Sequence, residues 1–257
     1  MHATIQMMWV EGPLSPLERL SMASFVQCGH PVHLYVYGQV SGVPPGVAVL
    51  DGRSILPQAR ICRYGPAAGA GEGSLALFGN LFRYALLNMH GGIWSDCDVV
   101  CLKPLTHAVA ADYVIATEFP DRDRQVVFAN NCLLKAPAGS PFIAECNAIA
   151  LGVDPAISAW GELGPSLVTA LARKHGLERS LAPPWRFSPL GWWEFPRLVE
   201  DAPLRWPDDS LTVHCFNEMW RRSGLDKHAR HGARSPFEVL KARYLAAIDG
   251  TAAGGSA

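Results

Sequence analysis

FGNLFRYALLNMHGGIWSDCDVVCLKPL, residues 78–105, is the stretch whose reading decides the fold. Leu75, Phe78, Phe82, Leu86 and Met89 recur at helical spacing behind Ser74, a good N-capping residue, and Gly91-Gly92 supplies the stop. Asn80, Arg83 and Tyr84 lie three or four residues apart and so share one helix face. Beyond the glycines come Asp96 and Asp98, then the apolar Val99 and Val100. In an extended segment, alternation points both carboxylates to one side and Cys97 to the other. Two hard oxygen donors beside a chain reversal suit a divalent cation that also carries diphosphate oxygens, Mg²⁺ or Mn²⁺. A solvated turn also carries such acid pairs. What distinguishes this one is its setting: a polar-faced helix, a glycine pair, an aromatic, an apolar strand and Lys103-Pro104.

Working outward, the 257 residues allow one large domain, expected over 1–249, with a nucleotide-binding half over 1–110 and an acceptor-binding half over 111–249. The small, polar segment 250–257 reads as a disordered tail. With 49% hydrophobic residues and a formal net charge of -1, the chain fits a soluble globular protein and not an electrostatic nucleic-acid binder. No apolar run approaches the roughly 18–20 residues that span a bilayer. Nothing at the N-terminus reads as a signal peptide, which leaves peripheral membrane contact open. Seven scattered cysteines without a CxxC pair favour neither a disulfide framework nor a structural zinc, and a reducing cytoplasm is the simplest compartment.

Along the chain, residues 4–10 read as a first strand ending at Glu11-Gly12-Pro13. Ser15-Pro16-Leu17-Glu18 is a capping box, so a helix should run to about Cys28. Residues 32–37 and 47–50 read as strands, and 57–73 as a glycine-rich, mobile loop. Further strands are expected at 113–117 and 126–134, a helix from Ser140-Pro141 to about Leu151, another within 161–174, and a short strand at 211–215. The order is that of an α/β nucleotide-binding domain with a mixed central sheet. Residues 185–206, rich in Trp and Pro, give no readable architecture. Residues 226–234 read as a solvated basic loop.

The central block resembles the glycosyltransferases with a DXD sugar-binding region, the group of the yeast-type initiating mannosyltransferases, the α-1,4-galactosyltransferases and, more distantly, the large glucosylating bacterial toxins. Their pattern runs Asp-x-x-Arg-Tyr, an apolar run, Gly-Gly-aromatic and x-Asp-x-Asp. The chain matches it at Arg83, Tyr84, Gly91, Gly92, Asp96 and Asp98, and departs at Asn80, where the family usually has an acid. The resemblance implies a single GT-A-like, Rossmann-like domain. It implies metal-dependent transfer of a sugar from a nucleotide sugar, most simply a UDP-sugar, to a glycan, lipid-linked or small-molecule acceptor, with retention of anomeric configuration.

The same resemblance assigns roles. Trp9, ending the first strand, stacks on the nucleotide base. Asp98 is the more direct ligand of Mn²⁺ or Mg²⁺, Asp96 binds a sugar or ribose hydroxyl or the ion through water, and His214 is the third ligand. Arg83 and Asn80 orient the sugar hydroxyls, Arg83 through its fixed fork of donors, and Tyr84 adds to donor binding. Asn131, or its neighbour Asn130, reaches the donor sugar or the acceptor. Gly164, opening a Gly-Pro helix start, brings backbone N–H groups near an anion or sugar oxygen. Trp220 covers the diphosphate or sugar. No enzyme nucleophile stands out, and Asp121, Asp123 and Glu162 read as surface acids. Two alternatives stay open. One is a catalytically silent nucleotide-sugar-binding accessory protein, which Asn80 makes thinkable. The other is a nucleotidyltransferase, although no glycine-rich phosphate loop with lysine occurs early in the chain.

Overall fold

The computed structural model describes residues 3–246 and Ile248; the expected tail at 250–257 lies outside them. Strands β1 (Ile5–Trp9), β2 (Gly12–Pro13), β3 (Val32–Val36), β4 (Val40–Ser41), β5 (Val47–Asp51), β6 (Gly92–Ser95), β7 (Val99–Cys101), β8 (Val114–Glu118), β9 (Phe128–Ala136) and β10 (Thr212–His214) alternate with helices. The helices are α1 (Pro16–Gln27), α2 (Ala76–His90), α3 (Pro141–Leu151), α4 (Leu167–Lys174), α5 (Pro184–Phe187), α6 (Asn217–Ser223) and α7 (Pro236–Tyr244). A six-stranded sheet in the order β5-β3-β1-β6-β9-β8 forms the centre. Strands β5, β3, β1 and β6 run parallel, and β9 is antiparallel to both β6 and β8. This is the mixed α/β architecture expected.

Chain order along the sheet reverses between β1 and β6, the switch point beyond whose strand ends ligands sit in open α/β sheets. On one face, α2, α3 and α4 bury Phe78, Phe82, Leu86 and Phe142 against Trp94 and Leu134. On the other, α1 buries Met22 and Phe25 against Met7, Leu34 and Ile93. A third cluster around Trp220, Phe237 and Val213 docks α6 and α7 against α1. The capping box behaves as read: Leu17 N–H bonds Ser15 Oγ at 3.2 Å, and Glu18 Oε2 accepts from the Ser15 N–H at 2.8 Å.

The decisive stretch departs from its reading in two details. The helix α2 starts at Ala76 and not directly after Ser74, although Ser74 Oγ still accepts from the Ala76 N–H at 3.2 Å. The acid pair is not in a strand: β6 stops at Ser95, Asp96 to Asp98 form a turn, and the chain resumes as β7 in a two-stranded ribbon with β10. Gly91 (φ 63°) and Gly92 (φ 92°) occupy the left-handed region, which side-chain-bearing residues rarely adopt. A Cβ on Gly91 would stand 2.6 Å from the Ala138 nitrogen, so this tight exit from α2 into β6 requires glycine. Residues 57–73 fold into short 3₁₀ turns that bury Tyr64, rather than forming a free loop.

Candidate functional site

A cleft of about 1000 Å³ opens where the parallel strands end. The sheet order sets its floor: Trp9 closes β1, Asp96 follows β6, Asn130 and Asn131 lie near the start of β9, and Glu118 closes β8. Because β9 runs antiparallel, its beginning reaches the edge where its neighbours end. Asp96 N–H bonds the Cys132 carbonyl at 2.8 Å, which continues the ladder one step past β6.

Asp96, Asp98 and His214 converge there, with one candidate ligand atom from each lying within 4.8 Å of the others. The convergence comes from the turn and from the ribbon register, which pairs His214 with Val99. His214 Nε2 stands 3.4 Å from Asp98 Oδ2, and the same oxygen accepts the Asn217 N–H at 2.6 Å. Phe216 takes a left-handed conformation (φ 54°), unusual for a bulky residue, and its ring packs on His214 at 4.1 Å. Cys97 turns the other way, into the apolar cluster under α1, although residues 96–98 are a turn and not an alternating strand.

Electrostatics separate the two acids. Burial opposes ionisation of Asp98, but the His214 imidazole and the Asn217 N–H outweigh it and hold its carboxyl below the ordinary value. Burial raises Asp96, Arg83 pulls against that, and the neighbouring Asp98 adds to it. Burial disfavours the His214 imidazolium, yet Cys132 and Asp98 raise the ring well above its ordinary value. A proton and a divalent ion therefore compete for this ring. Asp98 Oδ1 is buried and takes no hydrogen bond among the described residues. An orphaned carboxylate oxygen beside a second acid and an imidazole fits a divalent cation by donor chemistry.

Arg83 rises from α2 almost fully buried, donating to Asp96 Oδ1 and Asn80 Oδ1 and lying over the Trp94 ring at 5.0 Å. Asn131 Nδ2 donates to the same Asn80 oxygen at 2.8 Å and to the Tyr84 hydroxyl at 3.1 Å. Arg83 Nε and Trp9 Nε1, both in the cleft wall, are donors with no partner among the described residues.

Trp9, Asn80, Arg83, Asp96, Asp98, Asn130, Asn131, Gly164 and His214 thus all line one cleft. Three expectations need correction. Trp220 is fully buried, donates its Nε1 to the Cys215 carbonyl at 2.9 Å and packs on Phe237 at 5.0 Å, so it is a core residue that cannot cover a ligand. Tyr84 is also fully buried; its hydroxyl donates to the Leu163 carbonyl at 2.6 Å and it touches the cleft only through Asn131. Gly164 lines the cleft, but its N–H and that of Ser166 both bond the Gly161 carbonyl at 3.2 Å, inside a π-type turn ahead of α4. Those N–H groups are spent locally.

Sequence reasoning missed several residues. Glu118 accepts from Asn130 Nδ2 at 2.6 Å; its signal was its position, an acid ending a strand at this edge of the sheet. Burial lifts its carboxyl above the ordinary value, against the pull of His214 and Asn130. Lys227 lines the cleft while bonding the fully buried Glu18 at 2.7 Å, a pairing across 209 residues that no local pattern carries. Trp160 and Trp192 reach the cleft from segments without readable periodicity.

Fold and site together define a mixed α/β domain with an Asp-x-Asp turn and a histidine converging in a cleft at the strand ends. Residues 75–118 match the family model described as the glycosyltransferase sugar-binding region containing a DXD motif, which bears out the resemblance. The lactosylceramide 4-alpha-galactosyltransferases of Rattus norvegicus and Mus musculus are each 26% identical over 186 residues, covering 66% of this chain and 48% of theirs. The chain therefore spans about half the length of the curated relatives it matches. Among solved structures, the PaToxG glycosyltransferase superposes with a TM-score of 0.45 at 12% identity, covering 95% of this chain and 87% of that one. The apo form of the glycosyltransferase GlyE from Streptococcus pneumoniae TIGR4 gives 0.42 at 13%, covering 95% and 64%. Likenesses that remote carry no argument about chemistry.

Proposed function

We propose that the chain transfers a sugar from a nucleotide sugar, most simply a UDP-sugar, to a glycan, lipid-linked or small-molecule acceptor, with retention of configuration and with Mn²⁺ or Mg²⁺ as cofactor. The observation that carries this reading is the convergence of Asp96, Asp98 and His214, with Asp98 Oδ1 orphaned, at the switch point of the sheet. A divalent ion held by these three residues supplies charge neutralisation for the leaving diphosphate.

The chain's own groups do the rest. Arg83, fixed by Asp96 and Asn80, offers its remaining donors to sugar hydroxyls without reorganising. Asn131, itself donating to the Tyr84 hydroxyl, holds Asn80 in place from behind. Trp9 lines the cleft at the end of β1, where a base would stack on its ring. We assign donor binding chiefly to residues 1–110 and acceptor binding to 111–249. A cytoplasmic setting is supported by seven cysteines that are all unpaired. Among the described residues no helix is long and apolar enough to cross a membrane.

Asn80 in place of an acid raised the reading of a silent accessory protein. Its side-chain oxygen accepts from Arg83 and Asn131, the acceptor role a carboxylate would fill, which supports activity. Calorimetric titration with UDP, with and without Mn²⁺, tests the proposal: binding should require the metal. Metal-independent binding, or none, overturns it. A donor-hydrolysis panel then separates an enzyme from a protein that only binds.

A further inference from the structure

Across the mouth of the cleft the strand ends stand in the order Trp9, Asp96, Asn130, Glu118, set by β1-β6-β9-β8. Neighbouring strands lie about 4.8 Å apart, and the register sets Glu118 opposite Phe128 but Asp96 opposite Cys132, so the Glu118 backbone stands two strands over and further out, on the order of 15 Å from that of Asp96, on the side opposite Trp9. A donor reaching from Trp9 to the acid pair fills one end and leaves the Glu118 end open.

That end has its own construction. Glu118 Oε2 accepts from Asn130 Nδ2 at 2.6 Å, and Asn130 in turn lies 3.4 Å from His214 Nδ1. Glu118 Oε1 has no partner among the described residues. Two residues on, the Pro120 carbonyl accepts the Trp192 Nε1–H at 3.0 Å. Trp192 is 42% exposed, yet its one polar atom is tied down and Trp193 stands edge-on to it at 5.8 Å. Glu194 braces the turn behind, accepting the Gly191 N–H at 3.0 Å together with Arg197 at 3.0 Å and Arg124. A half-exposed indole tied down at its nitrogen is a preformed platform, and the Glu118 carboxylate lining the same cleft is an acceptor for a hydroxyl.

We infer that Glu118 and Trp192 form the acceptor subsite, and that its ligand is a neutral hexose at the end of a glycan or glycoconjugate. The sugar's C–H face lies on the Trp192 ring, and one hydroxyl donates to Glu118. The Glu118 carboxylate, part of the subsite itself, disfavours an anionic sugar by like-charge juxtaposition. The inference rests on the proposed donor site, since it assigns the other end of the same cleft.

The test uses the full chain with Mn²⁺ and UDP present, and saturation-transfer NMR with the methyl β-glycosides of galactose, glucose and N-acetylglucosamine, and with the methyl glycoside of sialic acid. At least one neutral glycoside should bind, saturated mainly on its ring C–H protons, and the sialoside should not. Trp192→Ala should weaken that glycoside by about tenfold, and Trp192→Phe should retain most of it. Glu118→Gln should weaken it severalfold. Titration of Mn²⁺–UDP on the same proteins separates the two readings. Wild-type protein that fails to bind Mn²⁺–UDP sinks the donor site. Wild-type protein that binds it but no neutral glycoside, or prefers the sialoside, sinks the acceptor subsite. So does a Trp192→Ala protein that holds the glycoside as tightly as before, or that loses Mn²⁺–UDP to the same extent.

Discussion

Arg83→Met removes a guanidinium from the middle of the site while leaving an unbranched stem to fill its channel. Arg83 has 5% of its side chain exposed and its partner Asp96 has 28%. Removing one member of a buried ion pair costs about 3–5 kcal/mol, because the other is stranded. Asp96 retains some solvent, so we place the loss near the lower bound, about 3 kcal/mol. For a domain of this size each kcal/mol moves Tm by roughly 2–4 °C, giving a fall of about 6–12 °C. Asp96→Asn in the same background removes the stranded charge and should recover part of the loss, with a coupling of about 1–3 kcal/mol across the double-mutant cycle. Differential scanning calorimetry of the four proteins reads this directly, and Mn²⁺–UDP titration on each reports the site. If Arg83→Met shifts Tm by less than about 2 °C and the cycle shows no coupling, the arginine is not locked by Asp96 and the claim of a preorganised donor fails.

Three further outcomes follow from the same geometry. Asp98→Asn keeps shape and an oxygen for the Asn217 N–H but removes the charge that faces His214, so turnover should vanish and Mn²⁺ affinity drop by about 100-fold or more, while Tm falls but the protein still unfolds cooperatively from a native fold. Loss of that cooperative transition would make the acid structural. Trp220→Ala should destabilise by about 3–5 kcal/mol in thermal unfolding, because it empties a fully buried site, with Mn²⁺–UDP affinity preserved below the transition; selective loss of nucleotide binding would restore Trp220 to the cleft. Burial opposes ionisation of Glu194, but the Gly191 N–H, Arg124 and Arg197 prevail and hold its carboxyl below the ordinary 4.5. A depressed folded-state value stabilises above the unfolded one and is lost as pH falls through it. The Tm gap between wild type and Glu194→Gln should therefore be open at pH 7 and close below about pH 4.5, and a gap that widens on acidification contradicts the brace.

How much was legible varied with the range of the interaction. Helix α2, the glycine stop and the first strand are local events, written in periodicity and turn chemistry, and they formed within a residue or two of where they were read. The acid pair was found, but for a partly mistaken reason: its carboxylates converge through a turn held by Cys132 and Asn217 and not through strand alternation. Trp220 failed because a tryptophan near a histidine looks the same whether it faces a ligand or Phe237. Only the packing of α7, brought in from distant sequence, decides between them. Tyr84 failed by one shell, since helical spacing put it beside Arg83 without saying which flank of α2 would be buried. Glu118 and Lys227 depend on which strands neighbour each other, and a linear pattern does not contain that information.

The ribbon of β7 and β10 gives the site a temporal order. Residues 96–98 leave the ribosome well over a hundred positions ahead of His214, and the three donors meet only when Thr212–His214 pairs with Val99–Cys101. A nascent chain that already displays both aspartates still lacks the imidazole, the Asn217 amide and the wall that Phe216 builds. A half-made polypeptide therefore holds no three-donor site, which exists only once synthesis has passed this segment and it has docked.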